Sequence, residues 1–297
     1  MKTNKTTIAL ALLILATGLA WSAQTVNERH PVARGAEINI ENIAGSLTIV
    51  GWDTAEVEIE GTLGDGVEGL DVEVDEDGGV SIEVEYDEDY HGKQVTQTEL
   101  TIRVPSSSPV SVETISSSID VSGVRGALDL ESVSGKITVA DMPESVDIEN
   151  VSGEISVDNA PDETDLASVS GSIRVGVAMG SVDAENVSGS IVIEGGTLAG
   201  ADIETVSGNI TCKAIPGPEG DIDMETMSGS ITLVVDAGAV ASYELETFSG
   251  TIANEFGPEP KKLSKYTPEK ELRFNTGTGG PSISLNSFSG TIKLLSR

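Results

Sequence analysis

The stretch ENVSGSIVIE, which runs from Glu185 to Glu194, decides how this chain folds, because close copies of it recur along most of the sequence. The glycine of the copies stands at Gly135, Gly153, Gly171, Gly189, Gly208, Gly229, Gly250 and Gly290. Successive glycines are 18, 18, 18, 19, 21, 21 and 40 residues apart. One unit earlier, Ser117 stands where the glycine is expected, and ENIAGSLTIV around Gly45 is a further copy. The chain is therefore an array of one short unit.

Each unit alternates apolar and polar residues on both sides of its Ser-Gly pair, as in LDLESVSGKITV, which begins at Leu128. Alternation with a period of two is typical of β-strands, so we predict two short strands that meet at a corner. In the first strand Leu128, Leu130 and Val133 are expected to point toward the core. In the second strand Ile137 and Val139 are expected to do so. A turn-rich connector then leads to the next unit.

A single unit cannot bury its few aliphatic side chains, whereas stacked units cover one another and pair their backbones about 4.8 Å apart. We predict an all-β fold: a single-stranded parallel β-solenoid with two short strands per coil of 18 to 21 residues and an irregular N-terminal β cap. Glycine at the corner permits a close backbone contact, and Ser117 at the same point favours such a contact over a strictly positive φ. An antiparallel sandwich is the alternative, but it explains the alternation without the constant period.

The first 23 residues have the composition of a secretory signal peptide. Lys2 and Lys5 precede the apolar run Ile8–Leu19, and small residues follow. The run has 12 residues, too few to cross a bilayer as a helix. We predict export to the periplasm, the cell surface or the exterior, with no stable membrane insertion after cleavage.

The sequence suggests five regions. They are a signal peptide (1–23), an N-terminal β region or cap (24–109), the solenoid repeats (110–253), a basic insertion (254–281) and a final coil or C-terminal cap (282–297). VEVDEDGGVSIEVEYD predicts a hairpin that turns at Asp77, Gly78 and Gly79. In the basic insertion, Leu272 and Phe274 are expected to form one more strand, after which SISLNSFSGTIKL closes the array.

The chain is strongly acidic, with a formal net charge of −32, so nucleic acid and anionic membrane surfaces are poor partners for it. Without Lys2 and Lys5 the balance becomes 15 − 49 = −34. Cations and basic partners fit this charge, and solubility outside the cell explains it without any partner. The single cysteine, Cys212, replaces an aliphatic residue of the repeat, so we predict a buried thiol and no intramolecular disulfide.

Stacking converts polar positions of the unit into columns. Six residues before the glycine, an acidic column contains Asp129, Asp147, Asp165, Asp183, Asp202 and Asp223 and continues with Glu244. Four residues before it, a second column contains Glu131, Glu149, Glu185, Glu204, Glu225 and Glu246 and is interrupted by Ala167. Like charges on neighbouring strands destabilise a sheet by up to about 1 kcal/mol per pair. The Asp column is therefore either a solvated, aggregation-deterring edge or a metal site for a hard cation such as Ca²⁺.

Two further columns consist mostly of small polar residues. Three residues before the glycine they are Ser132, Asn150, Ser168, Asn186, Thr205, Thr226 and Thr247, which predicts a hydrogen-bonded structural row. Directly after the glycine they are Lys136, Glu154, Ser172, Ser190, Asn209, Ser230, Thr251 and Thr291, which predicts a hydroxyl-rich face for a glycan or another β-surface. The sequons at Asn150, Asn186 and Asn209 follow from the repeat and are weak evidence of glycosylation.

No catalytic motif accompanies the repeats. The chain has two histidines, no G-x-S-x-G and no phosphate-binding loop, and we predict no catalytic residue and no cofactor apart from the candidate Ca²⁺. The acidic run from Glu73 resembles a calcium loop but has Val84 where a bidentate Glu is required.

The array of V-S-G-x-I-x-V units, with the Lys-rich insertion and the terminal SFSGTIKL, resembles the putative-adhesin family of exported bacterial β-strand-repeat proteins over roughly residues 35–297. That resemblance implies a solenoid-like domain, export and no established catalysis. We therefore predict a non-enzymatic protein of the cell envelope or exterior that binds an envelope protein or a glycan in adhesion or scaffolding. The alternatives are a polysaccharide-acting β-helix enzyme and a periplasmic envelope-stress ligand protein.

Overall fold

The computed structural model describes residues 24–75, 78–87, 97–218, 220–236 and 238–297, and every regular element in them is a β-strand. The predicted signal peptide and Asp77 of the predicted hairpin turn lie outside these residues. Within the described part of the chain, no helix could cross a membrane.

The strands are numbered in chain order. They are β1 (Gln24–Pro31), β2 (Ile38–Trp52), β3 (Glu56–Leu63), β4 (Val67–Val74), β5 (Val80–Tyr86), β6 (Thr98–Pro105), β7 (Val110–Ser122), β8 (Leu128–Ser134), β9 (Ile137–Val139), β10 (Val146–Ser152), β11 (Ile155–Ala160), β12 (Glu163–Ser170), β13 (Ile173–Ala178), β14 (Ser181–Ser188), β15 (Ile191–Leu198), β16 (Gly200–Ser207), β17 (Ile210–Cys212), β18 (Ile215–Pro216), β19 (Asp221–Ser228), β20 (Ile231–Val235), β21 (Ser242–Thr247), β22 (Thr251–Asn254), β23 (Lys261–Lys262), β24 (Lys270–Asn275), β25 (Ser282–Ser289) and β26 (Thr291–Ser296).

The repeat units stack in parallel and in register, which confirms the predicted β-solenoid. The first strands pair in the order β7, β8, β10, β12, β14, β16 and β19. The second strands pair in the order β7, β9, β11, β13, β15, β17 and β20. Equivalent residues face each other, as Asp129 faces Asp147 and Ile137 faces Ile155. Each pair of strands forms one rung of the rod.

The rungs at the two ends of the rod do not follow chain order. At the N-terminal end β2 lies between β7 and the strands β5 and β6, so the later pair is outermost. At the C-terminal end β25 pairs with both β19 and β21, and β26 pairs with both β20 and β22. The prediction that residues 282–297 close the array is therefore wrong. They form an inner rung, and the rung that contains Gly250 is the outer one.

Antiparallel strands cover both ends. The predicted hairpin is confirmed, since β4 pairs antiparallel with β5. Strand β3 covers β6, and β1 covers β3. At the other end β24 forms the predicted additional strand and pairs antiparallel with β21. Open sheet edges would template pairing with other chains, and these strands occupy them.

The core is a stack of aliphatic side chains from alternate positions of both strands. Leu128, Leu130, Ile137 and Val139 are buried as predicted. The prediction for Val133 is wrong: it is 49% exposed. The strand keeps its pleat up to the corner, so side chains continue to alternate between the core and the solvent. The place of a residue in this alternation therefore decides whether it is buried, whatever its hydrophobicity. Position 132, two residues after Leu130, therefore points inward.

The predicted burial of Cys212 is confirmed, since it is 1% exposed. Burial raises the pKa of its thiol to about 11. The thiol is therefore protonated at neutral pH and has little reactivity toward oxidants or a second chain.

The corner glycines pass unusually close to the preceding rung. A Cβ built on Gly135 would lie 2.0 Å from the carbonyl oxygen of Ser117. One built on Gly171 would lie 1.8 Å from that of Gly153. Gly135 has a φ of 149°, but no positive φ occurs at Gly171, so close contact is the shared requirement, as predicted from Ser117.

We predict that Gly171→Ala destabilises the protein by about 2 kcal/mol, because the new Cβ forces two rungs apart. Equilibrium unfolding in urea measures this. Gly195→Ala is the matched control, since a Cβ at Gly195 meets nothing within 4 Å. Equal midpoints for the two variants would contradict the steric role of the corner.

Candidate binding groove

Most rungs present the same three kinds of residue just before the corner: an acidic residue, a small polar residue and an apolar residue. In β14 they are Glu185, Asn186 and Val187, the first three letters of the stretch quoted at the start. Ladder pairing between β8 and β10 skips Val133 and resumes at Ser134, so the strand direction changes at the apolar residue. The first and third residues thus lie outside and the second lies inside.

The apolar residues form a continuous exposed stripe along the rod. Its members, in spatial order, are Ile43, Ile115, Val133, Val151, Val169, Val187, Val206, Met227, Phe288 and Phe248. The valines are 46–49% exposed and Met227 is 61% exposed. Phe248 and Phe288 stack with their ring centroids 4.9 Å apart. We call this set the apolar stripe.

The Glu column runs beside the stripe and confirms the predicted stacking. In spatial order it reads Glu41, Glu113, Glu131, Glu149, Ala167, Glu185, Glu204, Glu225, Asn286 and Glu246. The inner rung β25 inserts Asn286 between two glutamates, and its Nδ2 donates to Glu225 Oε1 at 3.0 Å. Partial burial in the stack raises the pKa of Glu131 and of Glu204, and neighbouring carboxylates raise both further.

The middle residues form a buried polar row beneath the groove, and the predicted hydrogen bonds form at some of its positions. Asn150 Nδ2 donates to the carbonyl oxygen of Gly135 at 2.9 Å, and Asn186 Nδ2 donates to that of Gly171 at 2.8 Å. Both asparagines are 3% exposed. Their sequons are therefore inaccessible as glycosylation sites in the folded chain. The two asparagines tie their corners to the rung before, whereas the hydroxyls of Ser168, Thr205, Thr247 and Ser287 in the same row are buried without a hydrogen-bond partner.

Together the triplets line a groove of about 1260 Å³ along the rod. Glu83, Val84 and Tyr86 of β5 line its N-terminal end, where Tyr86 Oη donates to Asn42 Oδ1 at 2.8 Å. Leu263, Glu269 and Lys270 line the other end. Lys270 Nζ donates to the carbonyl oxygen of Gly250 at 2.7 Å. The groove is thus bounded at both ends by parts of the chain outside the regular repeats.

The predicted Asp column also stacks in register, outside the lining of the groove. It contains Asp129, Asp147, Asp165, Asp183, Asp202 and Asp223, followed by Ser284 and Glu244. Burial raises the pKa of Asp147 and Asp183, and the neighbouring aspartates raise both further. Among the described residues, no three His, Cys, Asp or Glu side chains form a group that could hold a metal ion. Cation binding by this column stays a prediction.

The basic insertion neutralises both acidic columns at the C-terminal end. Arg273 of β24 forms ion pairs with Glu244 at 2.5 Å and with Glu246 at 2.6 Å. Phe274 packs against Tyr243 with ring centroids 4.8 Å apart. An apolar and cationic strand thus covers the last rung.

The predicted hydroxyl-rich face lies at the corner, directly before the second strands or at their first residue. Its members contact one another along the rod, as in the 3.0 Å ion pair of Lys136 with Glu154 and the 3.1 Å hydrogen bond between the Thr251 and Thr291 hydroxyls. None of the residues of this face lines the groove. The groove, which contains the apolar stripe, is the stronger candidate site.

Residues 35–295 match the family model described as Toastrack DUF4097. The chain belongs to this family. The resemblance to the putative-adhesin family is confirmed. No curated protein matches the chain. Neither the Toastrack description nor those of the three structures below names a catalytic activity.

Three solved structures are similar to this Toastrack chain. A putative adhesin from Bacteroides fragilis is 13% identical, with 94% of this chain and 100% of that chain covered and a TM-score of 0.44. One from Parabacteroides distasonis is 10% identical, with 92% and 98% covered and a TM-score of 0.39. A putative cell adhesion protein from Clostridium sporogenes is 10% identical, with 92% and 100% covered and a TM-score of 0.24. These TM-scores are low, so the relationship rests on the family match.

The apolar stripe is the part of the site that sequence reasoning missed. The signal was present, because strict alternation from Leu128 places Ser132 inside and Val133 outside. Val133 was assigned to the core instead, because it is apolar.

We predict that Na⁺, Mg²⁺ and Ca²⁺ raise the thermal midpoint equally at matched ionic strength. Single carboxylates about 4.8 Å apart offer screening rather than a set of six or more oxygen ligands. Thermal unfolding of residues 24–297 after chelation measures this. A rise specific to Ca²⁺ that Asp147→Asn and Asp165→Asn abolish would instead assign the Asp column as a cation site.

We predict that the protein becomes more stable as the pH falls from 7 toward about 5. A raised carboxyl pKa means that the folded state binds protons more strongly than the unfolded chain, so folding is favoured on acidification. The carboxyl of Glu194 acts in the opposite direction, because the hydrogen bond from Lys213 lowers its pKa. The stability that this carboxyl contributes is lost only when the pH falls to about the ordinary glutamate pKa of 4.5 and below. Urea midpoints across this range measure the effect.

The double variant Glu131→Gln, Glu204→Gln is the control for the pH dependence, because it removes two of the groups with a raised pKa. Its urea midpoint should be higher at pH 7 and change less with pH. A wild-type midpoint that falls steadily on acidification would contradict the assignment of repulsion to the columns.

Proposed function

We propose that this protein is a non-enzymatic binding protein, exported to the cell envelope or beyond, that holds another molecule in its groove in adhesion or scaffolding. The observation that carries the proposal is the apolar stripe. Large contiguous apolar patches on soluble proteins mark interaction sites, whereas scattered ones do not. Here one half-exposed apolar residue per rung lines the full length of the groove.

The regularity of the surface also supports binding over catalysis. An enzyme that cleaves polysaccharides needs one acid and one base at a defined separation in a distinct cleft. In this chain the carboxylates repeat once per rung, and each has nearly the same neighbours as the next. A repeated surface holds an elongated partner through many equivalent contacts.

The neighbouring hydroxyl-rich face remains the alternative surface, and a glycan the alternative partner. Flat rows of hydroxyls suit polar ligands, but aromatic platforms for sugar rings are few, since aromatic residues make up 3% of the chain. The groove, in contrast, is concave and offers apolar contacts along the stripe.

A photoreactive amino acid placed at position 187 tests the proposal in cells that make the full chain. Val187 lies in the stripe and is 47% exposed. Position 177 is the matched control, because Val177 is 42% exposed and lies outside the groove. We expect a discrete adduct from position 187 and none from position 177.

The adduct should also disappear when Val151→Ser and Val206→Ser interrupt the stripe elsewhere. Equal adducts from both positions, or none from position 187, would contradict binding in the groove. Release of new sugar ends from cell-wall polysaccharide by the purified protein would support the enzyme alternative.

A further inference from the structure

We infer that the groove binds a cationic polypeptide segment in which basic and apolar side chains alternate, laid along the rod. This inference rests on the proposed function and names the class of partner. Three features of the described residues carry it: the charge beside the stripe, the length of the groove and the way the chain covers its own last rung.

The charge of the groove selects against several partners. The stripe is apolar, but the Glu column runs along it with neutral breaks only at Ala167 and Asn286. A second copy of this acidic chain would place its own Glu column against the first, and the formal net charge of −32 adds to that repulsion. Nucleic acid and anionic lipid are repelled for the same reason. A partner with both apolar and basic side chains satisfies the stripe and the column together.

The length of the groove indicates an elongated partner. Its rungs run from the one with Glu41 to the one with Glu246, and about ten rungs at a spacing of ~4.8 Å give roughly 43 Å. An extended chain rises about 3.3 Å per residue, so about 13 residues fill it. Tyr86 and Lys270 line the two ends of the groove.

The chain applies the same chemistry to itself. Strand β24, with the sequence KELRFN, lies against the outermost rung. Its Arg273 pairs with Glu244 and Glu246, one from each acidic column, while Leu272 is buried with 3% exposure. A strand that carries both basic and apolar side chains is therefore compatible with the end of the last rung, where one arginine pairs with both acidic columns. In the groove, the partner would instead cross the rungs, with its apolar side chains on the stripe and its basic side chains beside the Glu column.

Neutralisation of the column favours such a partner. Partial burial and neighbouring carboxylates raise the pKa of Glu131 and Glu204, so repulsion within the column opposes their ionised form. Bound cationic side chains relieve this repulsion without protonation.

Fluorescence anisotropy with labelled peptides of about 14 residues tests the inference, the length being set by the strand rise. The probes are alternating Lys-Leu, alternating Gln-Leu and alternating Glu-Leu peptides. Each is titrated with the protein that spans residues 24–297. We expect saturable binding of the Lys-Leu peptide, weaker binding of the Gln-Leu peptide and no binding of the Glu-Leu peptide. Val151→Ser, Val169→Ser and Val187→Ser together should remove the binding.

Two variants with the same change in net charge separate a groove contact from general attraction. Glu149→Gln, Glu185→Gln and Glu204→Gln lie in the lining of the groove, whereas Asp147→Asn, Asp183→Asn and Asp202→Asn lie in the same rungs outside it. We expect the Kd of the Lys-Leu peptide to rise about tenfold in the Glu variant and less than about threefold in the Asp variant.

Each opposite result overturns a distinct claim. Equal losses in the Glu and Asp variants would mean general electrostatic attraction and reject the inference. Equally tight, stripe-dependent binding of the Gln-Leu peptide would reject the cationic class while the proposed function stands. A dimer that dissociates in the Val→Ser variant would make a second copy the occupant. If no peptide binds in the groove, the inference fails, and crosslinking from position 187 decides the proposed function independently.

Discussion

The contact between a corner glycine and the carbonyl oxygen of the rung before it is the constraint on which the rest of the structure depends. At Gly171 the space for a side chain is already occupied by the backbone of Gly153. Since the corners must nest, the rungs can stack in only one register, and a slip by one residue would turn every side chain to the other face. The buried row reinforces this register, because Asn150 and Asn186 hold the carbonyl groups that the glycines approach. Core, columns and groove all follow from the position of the corner.

The period of the repeat was enough to predict the solenoid, the two acidic columns, the stacked row of small polar residues and the place of Cys212. These features depend only on the stacking of equivalent residues. The orientation of Val133 was not predicted correctly, because an apolar residue next to a corner was assigned by its hydrophobicity instead of its place in the alternation. The order of the end rungs could not be predicted, since it depends on which distant strands pair, as β25 pairs with β19 and β21. Local alternation is the same for either order.

The groove illustrates how a repeat multiplies a weak contact. One half-exposed valine beside one glutamate is common on protein surfaces and would contribute little to binding. Copied once per rung, the pair becomes a stripe and a column whose contributions act on the same elongated partner. Interruption at a single rung, as at Ala167, removes a small fraction of the surface and leaves the others in place. The same property explains why the repeats tolerate Val, Ile, Met and Phe at the stripe position.

The exchanged order of the end rungs has a consequence for how the rod is made and unmade. A solenoid that followed chain order could add rungs one by one during synthesis and could fray from its last rung inward. Here the C-terminal strands β25 and β26 must enter between two rungs that precede them in the chain. The rung with Gly250 therefore cannot settle against the rod until residues 282–296 have been synthesised. Once in place, β25 and β26 are paired on both sides, so their release requires two parallel interfaces to open together. Insertion of this rung makes a late step of assembly cooperative and protects β25 and β26 from stepwise unfolding.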